Sequence, residues 1–150
     1  RQKHDWAQGR EASVIRLTIP GEPVAQGRPR FSRRGKYVST YDPPKSRGYK
    51  EYIKQIARQE LHIEPLTGSI RINVKVYRGI QKSGSKLTRR KKQDGIIRPT
   101  VKPDTDNYYK AVSDALTGIL WVDDNQIVEI HVGKWYSDKP RVEIEAEEID

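Results

Sequence analysis

The sequence predicts an α+β (mixed α/β) fold, a single mixed β-sheet flanked by two main helices, and three observations predict it. Residues 69–77 alternate strictly, with Ile70, Ile72, Val74 and Val76 on one side and Arg71, Asn73 and Lys75 on the other, the period of a half-buried strand. Two other segments, 46–61 and 105–117, repeat their apolar residues at helical spacing. Strand-like and helix-like segments also interleave along a chain of 150 residues, about the length of one ordinary domain.

Each element has its own signal. Residues 1–12 have no period and are expected to be a flexible tail, leaving 13–150 as one domain. Val14 to Pro20 alternates as a half-buried strand. Residues 28–41 suggest two short strands joined near Gly35, a basic hairpin. The first helix carries Tyr49, Tyr52, Ile53, Ile56, Ala57 and Leu61, with Pro43 and Pro44 before it and Pro65 and Gly68 beyond it. Residues 79–102 are rich in Gly, Ser, Lys and Arg without a hydrophobic period, and predict a long basic loop. The second helix carries Tyr108, Tyr109, Val112, Ala115 and Leu116 and stops near Gly118. Residues 126–135 and 141–149 then read as strands around a turn at 137–140.

Charge narrows the partner. The net charge is +9, of which residues 28–36 hold +5 and residues 79–102 hold +7, leaving the rest of the chain at −3. Cations confined to two segments suit a polyanion better than they suit general solubility. The candidate phosphate-binding residues are Arg28, Arg30, Arg33, Arg34 and Lys36 in the first segment, and Arg89, Arg90, Lys91, Lys92 and Lys102 in the second. The absence of cysteine excludes disulfides and thiolate metal sites, and the three histidines have no ligand spacing. No apolar run is long enough for a membrane span, and the expected location is the cytoplasm.

The acidic residues carry the chemistry. Lys102-Pro103-Asp104-Thr105-Asp106-Asn107 lies at a loop-to-helix junction, where Asp104 and Asp106 can direct two carboxylates at one point. A hard divalent cation takes oxygen ligands, and Mg²⁺ uses one or two carboxylates while keeping several waters. Lys110 follows Asp106 by one helical turn, on the face opposite the apolar stripe, where its ammonium can meet a phosphate oxygen. Taken alone, Asp and Asn before a helix read as N-caps. Asp123-Asp124-Asn125, between helix and strand, likewise reads as turn chemistry. The two acidic segments approach one another if the strand after Asn125 lies beside strand 69–77.

In combination, Asp104-x-Asp106-Asn107-x-x-Lys110, Asp114-Ala115-Leu116 and Trp121-x-Asp123-Asp124-x-Gln126 resemble the RusA family of Holliday-junction resolvases of bacteria and their phages. The run from Pro20 to Arg30 is similar to the opening of many members. The resemblance implies a homodimer that nicks four-way DNA junctions on two opposed strands with Mg²⁺, for which Mn²⁺ substitutes, and no small-molecule cofactor. Carried over by position, it makes Asp104, Asp106 and Asp124 the metal-binding acids and Lys110 the active-site lysine, with Asp123 sharing or replacing the role of Asp124. The alternatives are a non-catalytic branched-DNA-binding protein and a nuclease for flaps or single strands.

Overall fold

The computed structural model describes residues 14–150, so the tail expected over 1–12 lies outside the described residues. The strands are β1 (Val14–Pro20), β2 (Arg30–Arg34), β3 (Tyr37–Tyr41), β4 (Ile70–Gly79), β5 (Ile127–Ser137) and β6 (Arg141–Glu148). The helices are α1 (Pro44–Glu60), α2 (Lys86–Gln93) and α3 (Thr105–Leu116), with a single 3₁₀ turn at Asp124–Gln126.

Four strands form the main sheet in the order β1-β6-β4-β5, antiparallel except for the parallel pair β4–β5. The alternation read from the sequence becomes rungs across it. Leu17, Ile144, Val74 and Val132 share one rung, and Ile19, Val142, Val76 and Lys134 share another. The apolar face is buried under α1 and α3, which contribute Ile53, Ile56, Ala57, Tyr108, Val112 and Leu116 to the same core. The other face carries charge, including Arg16 paired with Glu145 at 3.0 Å and Arg71 paired with Glu129 at 3.2 Å. Burial of one face explains why a single strand period suffices to fix the register.

A two-residue turn cannot join parallel strands, so the chain between β4 and β5 must cross over. Residues 80–126 make that connection and contain α2, α3 and both acidic segments. The strand after Asn125 does lie beside strand 69–77, with Ile72 opposite Ile130 and Val74 opposite Val132.

The hairpin over 28–41 forms as expected, with Arg30 opposite Tyr41 and Arg34 opposite Tyr37. Gly35 takes φ 59 in its turn, the left-handed region that a side chain disfavours. This ribbon is a separate two-stranded sheet.

The segment 79–102 is not the continuous loop that its composition suggests, because α2 occupies its centre. The helix was hidden because it buries no residue, and its one large apolar side chain, Leu87, is exposed. Caps and dipole supply what an apolar stripe does not. Ser85 Oγ accepts the Thr88 N–H at 3.1 Å, and Arg90, Lys91 and Lys92 occupy the last turn, where cations are favoured.

Candidate active site

Asp104 stands at the N-cap of α3 with extended backbone (φ −71, ψ 155), yet its side chain makes no capping hydrogen bond. The capping explanation of this residue therefore fails, and its carboxylate remains available. Asp106 lies in the first turn of α3, where a negative charge is favoured by the helix dipole. Asp104, Asp106 and Lys110 are all exposed. Among the described residues their side chains enter no hydrogen bond or ion pair.

The approach to Asp104 is held from the sheet. Lys134 occupies a position on the core side of β5, and its Nζ donates to the carbonyls of Val101 and Pro103, each at 2.8 Å. Arg78 donates to the Lys102 carbonyl at 3.0 Å. Arg98 Nε donates to the Lys134 carbonyl at 2.8 Å, and its guanidinium lies 4.1 Å from the ring centre of Trp135. Trp135 stacks on Tyr77, over which Arg141 sits at 3.9 Å. A ladder of two rings between two guanidiniums thus seats Arg98 on the sheet, an arrangement favoured by ring quadrupoles, while Lys134 and Arg78 hold residues 101–103.

The second acidic segment divides its two aspartates between different tasks. Trp121 is fully buried and its indole N–H donates to Thr117 Oγ1 at 3.0 Å. Asp123 accepts the Asn125 N–H at 2.9 Å, while Gln126 Oε1 accepts the Asp123 N–H at 2.8 Å, a reciprocal capping box. Gln126 Nε2 then donates to the carbonyls of Leu66 and Gly68 at 2.8 and 2.9 Å. The Trp-x-Asp-Asp-x-Gln spacing is thereby explained. Trp121, Asp123 and Gln126 build and anchor a turn, while the carboxylate of Asp124, exposed like Asp123, takes no hydrogen bond or ion pair among the described residues.

Tyr109 links the two segments. Burial pushes its hydroxyl above the ordinary tyrosine range, and the nearby Asp124 and Asp114 carboxylates add to the shift while a Ser113 hydrogen bond opposes it. Asp124 is therefore close enough to α3 to be felt there. Asp114 has a further partner, for Lys50 Nζ of α1 lies 3.6 Å from it and also pairs with Asp42. That contact holds the Asp42 carboxyl below its ordinary range. The sequence placed Tyr109 in an apolar stripe and gave no sign of Lys134 or Lys50, because each acts through contacts between distant segments.

No group of three or more His, Cys, Asp or Glu side chains among the described residues is gathered closely enough to hold a metal ion by itself. The available donors are nonetheless carboxylate oxygens, the ligands a hard divalent cation takes. Magnesium needs only one or two of them beside its waters.

The candidate DNA-binding cations fall into two sets. Arg30, Arg33 and Arg34 lie on the exposed β2 strand, flanked by exposed Arg28 and Lys36. In the second set Lys92 lies 4.6 Å from the centre of the Tyr136 ring, and Arg90 is 3.9 Å from Asp94. Arg89 Nε is buried without a partner among the described residues, while Lys91 and Lys102 are exposed.

The family described as endodeoxyribonuclease RusA matches residues 20–147, which include all of α1, α2 and α3 and both acidic segments. The chain belongs to the RusA endodeoxyribonuclease family. RusA membership makes it one of a family of DNA-cleaving hydrolases, as the acidic motifs led one to expect. It is also similar to the uncharacterized protein YqaN of Bacillus subtilis strain 168, with 46% identity over 137 residues, covering 90% of this chain and 96% of that protein. No helix among the described residues of this RusA-family chain is long and apolar enough to cross a membrane.

Proposed function

We propose that the chain is a Holliday-junction resolvase that nicks four-way DNA by metal-assisted hydrolysis, acting as a homodimer in the bacterial or prophage-bearing cell's cytoplasm. One observation carries the reading. Among the described residues, Asp104, Asp106 and Asp124 have no side-chain partner, while their neighbours Asp123 and Asp114 are committed to structure. A chain that only bound DNA would gain nothing from exposed acids beside its phosphate contacts.

Asp104 and Asp106, at the head of α3, would give Mg²⁺, or Mn²⁺ in its place, the one or two carboxylates it takes beside its waters, with Asp124 as the further acid of the site. When bound, the ion supplies an activated water and positive charge for the scissile phosphate. Lys110, one turn along α3 from Asp106, meets the phosphate and stabilises the negative charge that develops on it. Lys134 and Arg78 are positioning residues that fix the backbone leading to Asp104. The exposed arginines of the hairpin hold DNA phosphates without reading sequence. One chain offers one set of free acids, so opposed nicks call for two chains about a two-fold axis.

Asp104→Asn and Asp106→Asn test the reading. Each keeps the side chain's shape and removes the charge a hard cation needs. Single-turnover cutting of a four-way junction should fall by roughly 10²-fold or more, while junction affinity without metal holds or improves. The thermal midpoint should barely move, since Asp104 caps nothing with its side chain. Wild-type cutting by both variants would end the proposal, and a monomeric mass for an active species would end its symmetric form.

A further inference from the structure

The β2–β3 hairpin has a surface that its cations alone do not explain. All ten residues of its two strands are exposed. They include Phe31 at 71%, Tyr37 at 81%, Val38 at 60% and Tyr41 at 41%. An isolated two-stranded ribbon is marginal in water, and four large apolar side chains exposed on ten residues mark an element that binds something.

The register arranges these side chains in alternation with charge. On one face Arg30 lies opposite Tyr41, Ser32 opposite Ser39 and Arg34 opposite Tyr37. On the other, Phe31 lies opposite Thr40 and Arg33 opposite Val38. Residues 28–41 hold five cations and no acid. That balance repels a second copy of the same ribbon and selects a polyanion. A tyrosine hydroxyl can reach a phosphate but the Phe31 ring cannot, whereas all three rings can stack on bases. In an intact duplex the bases are already stacked, so the rings find a partner only where pairing is interrupted.

The roots of the ribbon place it beside α3. Gly27 passes so close to α1 that a Cβ there would lie 2.9 Å from both Pro43 Cγ and Ser46 Oγ, and its N–H donates to Ser46 Oγ at 2.7 Å. The Gln26 N–H donates to the Asn107 carbonyl in the first turn of α3 at 2.9 Å. At the other root Asp42 pairs with Lys50, which also pairs with Asp114 of α3. Both ends are thus tied to the helix that carries Asp106 and Lys110.

We infer that the hairpin is a ribbon that enters the branch point of a DNA junction and stacks Phe31, Tyr37 and Tyr41 on the bases opened there. The inference rests on the nuclease reading above and adds a recognition element to it. Stacking selects branched over linear DNA, and the tied roots deliver the branch to the free acids.

The test uses the full chain in EDTA, so that no cutting occurs. The triple variant Phe31→Ala, Tyr37→Ala, Tyr41→Ala retains every cation, and circular dichroism checks its fold. Binding is measured to a four-way junction carrying 2-aminopurine at the branch, to a linear duplex of equal length and to a single strand. Junction affinity should fall on the order of 5- to 150-fold for each stacked base lost, with duplex affinity unchanged within about twofold. Wild-type binding should change the 2-aminopurine emission, the triple variant should not, and Tyr37→Phe should behave as wild type. Equal losses on junction and duplex, a loss confined to the single strand, or a changed oligomeric mass with junction affinity intact would each overturn the ribbon assignment. A variant that matches wild type in a chain that binds and cuts junctions removes the ribbon alone. A wild-type chain that binds none of these DNAs removes the nuclease reading with it.

Discussion

The two basic regions differ in what their charge is free to do. In 28–41 the cations stand on an exposed ribbon, with no acid among them. In 79–102 three of the eight cations have side-chain partners among the described residues. Arg98 lies over Trp135, Lys92 over Tyr136, Arg90 near Asp94, and the backbone of 101–103 is held by Lys134. The richer segment by count thus offers four exposed cations without a side-chain partner among the described residues, Lys82, Lys86, Lys91 and Lys102, against the five of 28–41. Net charge locates a polyanion-binding protein, and contacts decide which cations do the binding.

The strongest test of that difference is Arg30→Ser, Arg33→Ser, Arg34→Ser and Lys36→Ser together. Losing four phosphate contacts should flatten the log–log salt slope of junction binding by about 3.6. Between about 50 and 200 mM salt, wild type should then lose roughly 10²-fold more affinity than the variant. An unchanged slope would make the ribbon charge idle and erase the contrast.

Trp135→Ala attacks the other side by freeing the committed charge. It removes the ring stack with Tyr77 and the seat of Arg98, so stability should fall by about 2 kcal/mol. Thermal melting should read this as a drop of about 4–8 °C. Cutting should fall as well, since the backbone before Asp104 is released, while the salt slope should rise as Arg98 becomes available. A variant with wild-type melting and cutting would show that the clamp holds nothing.

Lys50→Met loosens the root of the ribbon and should cost about 1 kcal/mol, or about 2–4 °C in Tm. The figure is modest because Asp42 and Asp114 remain partly exposed and can rehydrate. The effect has a pH signature. Asp42 is held below its ordinary value of 3.8, chiefly by the hydrogen bond from Lys50. Its contribution is therefore complete above that pH and is lost as the pH falls below it. The Tm gap between wild type and variant should close under acid conditions, and a gap that is constant with pH would place the effect in packing alone.

The smallest change is expected from replacing Arg89, Arg90, Lys91 and Lys92 with Ser. Only Lys91 is exposed and unpartnered among the described residues of that group. The slope should shift by about 0.9, a three- to fourfold effect across the same salt range. A shift near 3.6 would mean that DNA strips these cations from their internal partners.

Much of the fold could be read in advance where one residue period meets one buried face, as in β4, β6 and α3. Gly35 between two short runs marked the hairpin. What escaped the sequence was structure without a core. Helix α2 is held by Ser85 and its own dipole, and a search for apolar periods passes over it. The motif marked the acids as a group but not how they divide. Asp123 and Asp124 suit a turn equally well, and only the capping box with Gln126 distinguishes the structural one. Lys134 was invisible for a third reason. Its partners Val101 and Pro103 lie 33 and 31 residues away, and a local pattern carries no information about such distances.

That crossover also sets when in the life of the chain the protein can act. Bringing β5 beside β4 closes the loop over residues 80–126, and non-local strand pairing of this kind is slow to form. Asp124 and the Lys134 anchor both lie at or beyond the far side of that loop, so the acids of α3 are set only after β5 has docked. On the ribosome, a chain still lacking β5 has already exposed its basic ribbon but lacks the strand whose Lys134 holds the backbone before Asp104. The topology thereby ties the setting of α3 and the Asp124 turn to the closure of the crossover.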